Sequence, residues 1–141
     1  MIEALCYSQL ELEIELSSLA EINPWLDSIW EKCTLPDDRR FDISVCVYEA
    51  VANVIMYAFD QPQEHLVMIA LEARGDLIEI TVEDDGRPFN PLDYPEPNLP
   101  TSILEAAIGG HGISLIRSLS DRVFYTRVMK RNRLTIINKL S

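Results

Sequence analysis

The stretch "VEDDGRPFNP", residues 82–91, ends a predicted strand with three acids and then breaks into glycine and proline. Apolar and polar residues alternate along that strand, which gives it one apolar face. The same parity places Asp84 on the apolar face and turns Glu83 and Asp85 to the other side. An inward carboxylate needs a donor, either a backbone N–H of the next turn or an amino group of a ligand, and both alternatives stay open. Gly86 would allow close backbone approach or a positive φ.

Alternating and helical patterns on either side of this stretch predict a strand, two helices, two strands, a loop, a helix and two strands. The predicted elements of the first half are strand 10–16, helices 17–33 and 39–59, and strands 65–74 and 77–84 joined across Gly75-Asp76. An irregular segment follows at 86–108, and a glycine-rich turn opens a helix at 109–120. The chain closes with a hairpin of strands 122–129 and 133–140, whose turn is predicted at 130–132. This order favours an α/β (α+β) fold of two layers, a mostly antiparallel mixed sheet with helices on one face.

Length and charge limit the functions that fit. The 141 residues suit a single domain, 1–141, and the net charge is -11 from 12 basic and 23 acidic residues. Such a charge argues against nucleic-acid binding through phosphates and against docking on an anionic membrane.

Because no basic residue precedes Lys32, we expect no signal peptide and a cytoplasmic protein. Cys6, Cys33 and Cys46 are odd in number and far apart, which predicts reduced thiols.

Two polar residues interrupt the otherwise apolar second helix. Glu49 and Asn53 are four residues apart and therefore share one face. One interpretation is an exposed polar stripe. The other is a stripe that faces a cleft, where the carboxylate acts as a base or orders a water and the amide oxygen ligates Mg²⁺.

The segment "GGHGISL", residues 109–115, places three glycines in four positions before a helical pattern. Free backbone N–H groups at a helix start favour an anion, so the segment is a candidate phosphate cradle. Glycines also serve as hinges, and the segment lacks the residues of a Walker motif.

Three segments together resemble the nucleotide-binding boxes of GHKL ATPases in their order and spacing. They are "YEAVANVIMYAF" (48–59), "VEDDGRPFNP" and "GGHGISLIRSLSDRVFY" (109–125). The most similar branch is that of the small bacterial anti-sigma-factor serine/threonine-protein kinases. The resemblance implies a Bergerat-type sandwich that holds ATP between helices and a lid, here the segment 91–109.

The same resemblance implies roles for eight residues. Glu49 resembles the catalytic base, Asn53 the ligand of Mg²⁺, and Asp84 the acceptor of the adenine amino group. The other implied nucleotide-binding positions are Gly86, Gly109, Gly110, His111 and Gly112. Pro88 stands where many relatives have a second glycine, and His111 stands where many have arginine.

The implied function is an ATP-dependent serine/threonine kinase that binds a sigma factor or similar effector and phosphorylates a STAS-type antagonist on serine. The branch commonly dimerises, and segment 10–16 with the first helix would supply an apolar interface. An alternative is a nucleotide-gated binding protein with little or no kinase activity, because residues 92–110 contain no Lys or Arg. A sensor kinase acting on histidine fits less well, because no helix ahead of the domain offers a phosphoacceptor histidine.

Overall fold

The structure, a computed structural model, describes residues 6–33, 35, 37–59, 65–93 and 112–140. Within these residues the chain forms five strands, three α-helices and two short 3₁₀ segments. The strands are β1 (Cys6–Glu13), β2 (Leu66–Arg74), β3 (Leu77–Asp84), β4 (Arg122–Val128) and β5 (Arg131–Lys139). The helices are α1 (Ile22–Trp30), α2 (Asp37–Tyr57) and α3 (Gly112–Leu119), and the 3₁₀ segments are Leu16–Glu21 and Pro91–Asp93.

The five strands form one sheet in the order β1-β2-β3-β5-β4. Every pairing among these described strands is antiparallel. The predicted predominance of antiparallel pairs is confirmed, and the described strands include no parallel pair. The order of elements and the α+β class are as predicted. Because β5 is inserted between β3 and β4, the end of β3 lies beside the start of β5, which brings distant parts of the sequence together.

Tight turns join both hairpins. Gly75 has a φ of 58° between β2 and β3, a conformation that glycine adopts without a steric cost. The β4–β5 turn is formed by Met129 and Lys130, whose φ angles are 52° and 65°. The predicted turn at 130–132 was therefore misplaced: the strands remain paired as far as Val128 and Arg131, so two residues complete the turn.

All three helices lie on one face of the sheet. The alternation of the strands gives this face an apolar surface, and α2 packs against β2, β3 and β5. The buried apolar residues of the sheet are Leu12, Val67, Ile69, Leu71, Ala73, Ile78, Ile80, Val82, Leu134 and Ile136. From α2 the core receives Ile43, Val47, Ala50 and Val51, which recur at helical spacing. The result is the two-layer sandwich that the sequence predicted.

The N-terminal elements differ in their bounds from the prediction. The first strand begins at Cys6 and ends at Glu13, where 10–16 was expected. Leu12 and Ile14 are buried in the core, whereas Leu16 is exposed and begins a 3₁₀ segment. The predicted helix 17–33 is thus divided between that segment and α1. Leu12 and Ile14 are used inside the subunit, so they are not available for the predicted interface between subunits.

The cysteines contradict the prediction of reduced thiols. Cys6 at the start of β1 and Cys33 after the end of α1 form a disulfide, with Cα atoms 6.3 Å apart. Their separation of 27 residues hid this pairing, because only the packing of α1 against β1 brings them together. Cys46 is a free, buried cysteine on α2. Burial, with a smaller effect of Asp42, raises the pKa of its thiol to about 12.

Candidate functional site

Asp84 ends β3 on the inner face of the sheet and is only 1% exposed. Its Oδ1 oxygen accepts from the backbone N–H of Gly86 at 2.8 Å and from Nδ2 of Asn132 at 2.9 Å. The inward direction predicted from parity is confirmed. Burial raises the pKa of the Asp84 carboxyl, and the hydrogen bonds from Asn132 and Gly86 oppose that rise. Both hydrogen bonds end on Oδ1. Among the described residues, no donor is bonded to Oδ2, so this oxygen can accept from another group.

Gly86 is required because the loop after β3 closely approaches the end of α2. A Cβ atom on Gly86 would lie 2.4 Å from the backbone oxygen of Ala58. The same oxygen accepts from the backbone N–H of Arg87 at 3.2 Å, and the Arg87 guanidinium donates to the backbone oxygen of Tyr57 at 2.8 Å. Of the two predicted reasons for glycine, close approach applies and positive φ does not. These contacts hold the acidic loop against α2.

Glu49 lies on α2, one helical turn before Asn53. Its Oε2 oxygen is buried and has no hydrogen-bond partner among the described residues, and desolvation raises the pKa of the carboxyl. A Cβ atom on Gly112, the first residue of α3, would lie 2.7 Å from Oε2 and 3.6 Å from Nδ2 of Asn53. Asn53 is 7% exposed. The exposed-stripe interpretation of this helix is therefore wrong, and three predicted site residues meet where α2 and α3 pack together.

A cleft between α2 and the sheet connects Asn53 with Asp84. It is lined by Ala50, Asn53, Val54, Val82, Asp84, Phe89, Pro91, Tyr125, Asn132 and Leu134. Most of this lining is apolar, with a few convergent polar groups, which is the composition expected of a small-molecule site. Asn53 belongs both to this cleft and to the group around Glu49, so the two halves of the predicted site are continuous.

Sequence reasoning missed Asn132, Tyr125 and Arg127. Asn132 is buried at the start of β5, and its Oδ1 accepts from the hydroxyl of Tyr125 and from Arg127. The signal was present, because Asn132 shares the inner face with Leu134 and Ile136 by strand parity. Assigning 130–132 to a turn hid that parity.

The predicted glycine cradle can be placed only in part. Gly112 begins α3, while Gly109, Gly110 and His111 lie outside the described residues. The predicted lid is likewise described only as far as Asp93.

The side-chain oxygens of this site would suit a cation that also binds phosphate groups of a ligand. The described residues contain no group of three His, Cys, Asp or Glu side chains that would hold a metal alone. Asn53 would offer its amide oxygen, and Glu49, one helical turn away, has an Oε2 oxygen without a hydrogen-bond partner among the described residues. Mg²⁺ is commonly bound through one or two protein oxygens together with substrate phosphates.

Among the described helices, none combines the length and apolarity needed to cross a membrane.

Known proteins resemble this chain in sequence and in fold. The chain is 26% identical to the serine/threonine-protein kinase BtrW of Bordetella bronchiseptica over 90% of its length and 89% of that protein. It is 33% identical to an anti-sigma F factor of Oceanobacillus iheyensis over 61% of its length and 59% of that relative. The fold matches a structure of the RsbU and RsbW domains of Rv1364c from Mycobacterium tuberculosis with a TM-score of 0.68 and 12% identity, covering 95% of this chain and 32% of that one.

The family description "Histidine kinase-like ATPase domain" matches residues 12–138, from within β1 to within β5. That range includes Glu49, Asn53, Asp84, Gly86 and Gly112. The chain belongs to the family of histidine kinase-like ATPase domains.

Proposed function

We propose that this chain is an ATP-dependent regulatory serine/threonine kinase of the anti-sigma-factor type. It would bind a sigma factor or similar effector and phosphorylate a STAS-type antagonist on serine. The observation that carries the proposal is the buried Oε2 of Glu49, which has no partner in the described residues and lies one turn from Asn53. The names of the relatives from Bordetella bronchiseptica and Oceanobacillus iheyensis support the kinase and the anti-sigma roles.

In this proposal the cleft between α2 and the sheet holds the adenine. Asp84 accepts from the exocyclic amino group through Oδ2, because its Oδ1 already accepts from Gly86 and Asn132. Phe89 and Leu134 provide apolar walls for the flat base. Recognition by a buried acceptor is selective, because a ligand without the matching donor would leave that acceptor unpaired.

Glu49 is proposed as the base for phosphoryl transfer. Its Oε2 would take the proton of the attacking serine hydroxyl, while the serine oxygen forms the new bond to phosphorus and ADP leaves. The raised pKa of Glu49 suits this role, since a base works best when its pKa approaches the working pH. Mg²⁺, when bound with ATP, would supply positive charge near the phosphates, with Asn53 as its protein ligand.

A nucleotide-gated binding protein with little kinase activity is the second candidate. It is favoured by the sequence of the proposed lid, because residues 92–110 contain no Lys or Arg to stabilise a phosphate in transfer. This protein would also bind ATP at Asp84 and would respond to the nucleotide by changing its affinity for a partner.

The remaining features of the proposal follow the resemblance. The chain would act as one domain, 1–141, in the cytoplasm, and would form a homodimer. Because Leu12 and Ile14 are buried within the subunit, a dimer contact in segment 10–16 would use Leu16, which is exposed.

Two measurements test the proposal. Calorimetry with Mg-ATP is expected to give micromolar-range binding for the wild type, and a labelled γ-phosphate is expected on a serine of a STAS-domain protein. Transfer should be lost in Glu49→Ala. Binding without transfer to any candidate antagonist would favour the nucleotide-gated protein, whereas absence of ATP binding would overturn both candidates.

A further inference from the structure

Asn132 occupies a central position in the polar end of the inner sheet face. It lies directly across from Asp84 on β3 and from Arg127 on β4, so the three residues form one row over three strands. Asn132 is 4% exposed, although it is an amide with several hydrogen-bonding groups. A buried amide in this position is expected to be fully hydrogen-bonded.

Its contacts fix the orientation of the amide. Oδ1 accepts from the backbone N–H of Phe89 at 3.1 Å, from the Tyr125 hydroxyl at 2.5 Å and from Arg127 at 3.1 Å. Nδ2 donates to Oδ1 of Asp84 at 2.9 Å and to the backbone oxygen of Arg87 at 2.8 Å. A flipped amide would point its NH₂ group at the N–H donors of Phe89 and Arg127 and its oxygen at the acceptors of Asp84 and Arg87, so the observed orientation is the one that satisfies the network.

We infer that Asn132 is a positioning residue for the nucleotide: it holds Oδ1 of Asp84 so that Oδ2 faces the adenine amino group. This inference rests on the proposed function, and it assigns a role to a residue that the nucleotide-binding boxes do not include. Asn132 has no spare donor, since both Nδ2 hydrogens are used, so it acts through Asp84.

The charges around Asp84 show why a neutral donor matters here. Asp85 raises the pKa of the Asp84 carboxyl and Arg127 lowers it, while burial has the largest effect, in the raising direction. Among the described residues, the neighbours of Asp84 from α2 and β2 carry no charge: they are Ala50, Asn53 and Val54 of α2 and Val67 of β2. The Asn132 hydrogen bond therefore favours the ionised form of the buried carboxyl and opposes the effect of burial.

The substitution Asn132→Asp separates the two halves of the amide. It keeps the oxygen that Phe89, Tyr125 and Arg127 contact, but it replaces the donor to Asp84 with a second acid. At pH 8 we expect Mg-ATP to bind at least about tenfold more weakly than to the wild type. As the pH falls toward 6, the paired acids take up one proton, a donor to Asp84 is restored, and the ratio of variant to wild-type affinity should rise.

Asn138→Asp is the matched control. Asn138 lies on the same strand and the same face, is 1% exposed, and donates to the backbone oxygen of Leu119. Its substitution buries the same acid without touching Asp84, so its affinity ratio should not change with pH. If the ratio for Asn132→Asp were equally independent of pH, Asn132 would be a structural residue only and the inference would be overturned.

Asn132→Ala covers the case in which the acid variant does not fold. It removes the hydrogen bond that lowers the pKa of Asp84. Because the Asp84 carboxyl then takes up a proton at a higher pH, ATP affinity should fall to half its maximum at a higher pH than in the wild type. A weaker affinity with an unchanged midpoint would overturn the inference. Calorimetry of the unsubstituted protein with Mg-ATP tests the proposed function separately: absence of binding there would overturn the proposed function, whatever the Asn132 variants show.

Discussion

The Oε2 oxygen of Glu49 lies 2.7 Å from the position that a Cβ atom on Gly112 would occupy. Gly112, the first residue of α3, therefore contacts the proposed base. Because it has no side chain, it leaves room for the Glu49 carboxylate. Since Oε2 has no hydrogen-bond partner in the described residues, packing rather than hydrogen bonding sets the position of this oxygen. The geometry of the proposed base thus depends on how closely α2 and α3 approach.

Gly112→Ala should lower phosphoryl transfer more than ATP affinity. Alanine normally stabilises a helix by up to about 1 kcal/mol relative to glycine, but here its methyl group would displace the Glu49 carboxylate. We expect the transfer rate to fall at least about tenfold, because small displacements of a catalytic group are costly. Single-turnover transfer and calorimetry measure the two quantities. Ser118→Ala, on the exposed side of α3, is the control, and unchanged transfer in Gly112→Ala would contradict the prediction.

Glu49→Gln should abolish most of the transfer activity while preserving the shape of the side chain. General base catalysis contributes roughly 10²- to 10⁴-fold, so the transfer rate should fall within that range. Calorimetry should show little change in ATP affinity, because the proposed adenine contacts lie at Asp84. Glu79→Gln, on the exposed outer face of β3, controls for the loss of one negative charge. Transfer at the wild-type rate would exclude Glu49 as the base.

The same variant should be more stable than the wild type at neutral pH. Burial raises the pKa of Glu49 above its unfolded value, so the ionised carboxylate opposes folding at pH 7. Protonated Glu49 does not oppose folding, so its stabilising effect is complete below the pKa that Glu49 has in the unfolded chain. This effect is lost as the pH rises through the pKa that Glu49 has in the folded protein. The difference in free energy of unfolding between Glu49→Gln and the wild type should therefore shrink as the pH is lowered. A difference that stays constant with pH would contradict this reasoning.

Asp84→Asn should change ATP affinity and stability in opposite directions. The donors from Gly86 and Asn132 would hold the amide oxygen of the new side chain, so its NH₂ group would face the amino group of adenine. We expect ATP affinity to fall roughly a hundredfold, because two donors then oppose each other. Without nucleotide, stability should rise at neutral pH, since burial raises the pKa of the wild-type carboxyl.

Calorimetry and thermal unfolding without nucleotide, both across a range of pH, measure these effects. Asp85→Asn is the matched control, because Asp85 is exposed and its contact with His65 lies at the surface. That control should leave ATP affinity at high pH unchanged, and it should lower the pH at which affinity is lost, because the Asp85 charge raises the pKa of Asp84. Undiminished binding of ATP to Asp84→Asn would remove Asp84 from the site.

The sequence predicted those parts of the site that local patterns determine. Strand parity alone placed Asp84 inward, and helical spacing placed Glu49 and Asn53 on one face of α2. What local patterns could not supply was register between strands far apart in sequence. Asn132 lies 48 residues from Asp84, and their contact depends on β5 being inserted between β3 and β4.

Element ends were the weakest predictions, for a similar reason. A misplaced hairpin turn put Asn132 in a loop, although Met129 and Lys130 complete that turn. Nothing in the sequence marks either residue for a positive φ, since both are non-glycine residues that lack the side chains favoured there. The pairing of Cys6 and Cys33 was likewise hidden until α1 was packed on β1.

The Cys6–Cys33 disulfide should make the stability of this protein sensitive to reductant. It closes a loop of 27 residues, which in the loop-entropy account stabilises the folded state by about 3–4 kcal/mol. Reduction should therefore lower Tm by roughly 10 °C for a chain of this size. The double variant Cys6→Ser/Cys33→Ser should have the lower Tm and should not respond to reductant.

Counting thiols provides an independent measurement of the same disulfide. When the protein is unfolded without reductant and alkylated, mass spectrometry should find one modified cysteine, Cys46, because the other two are linked. In the folded protein Cys46 should resist alkylation at pH 8, since it is buried and burial raises its pKa to about 12. Three modified cysteines after unfolding would show that Cys6 and Cys33 are reduced, and the Tm should then be the same with and without reductant.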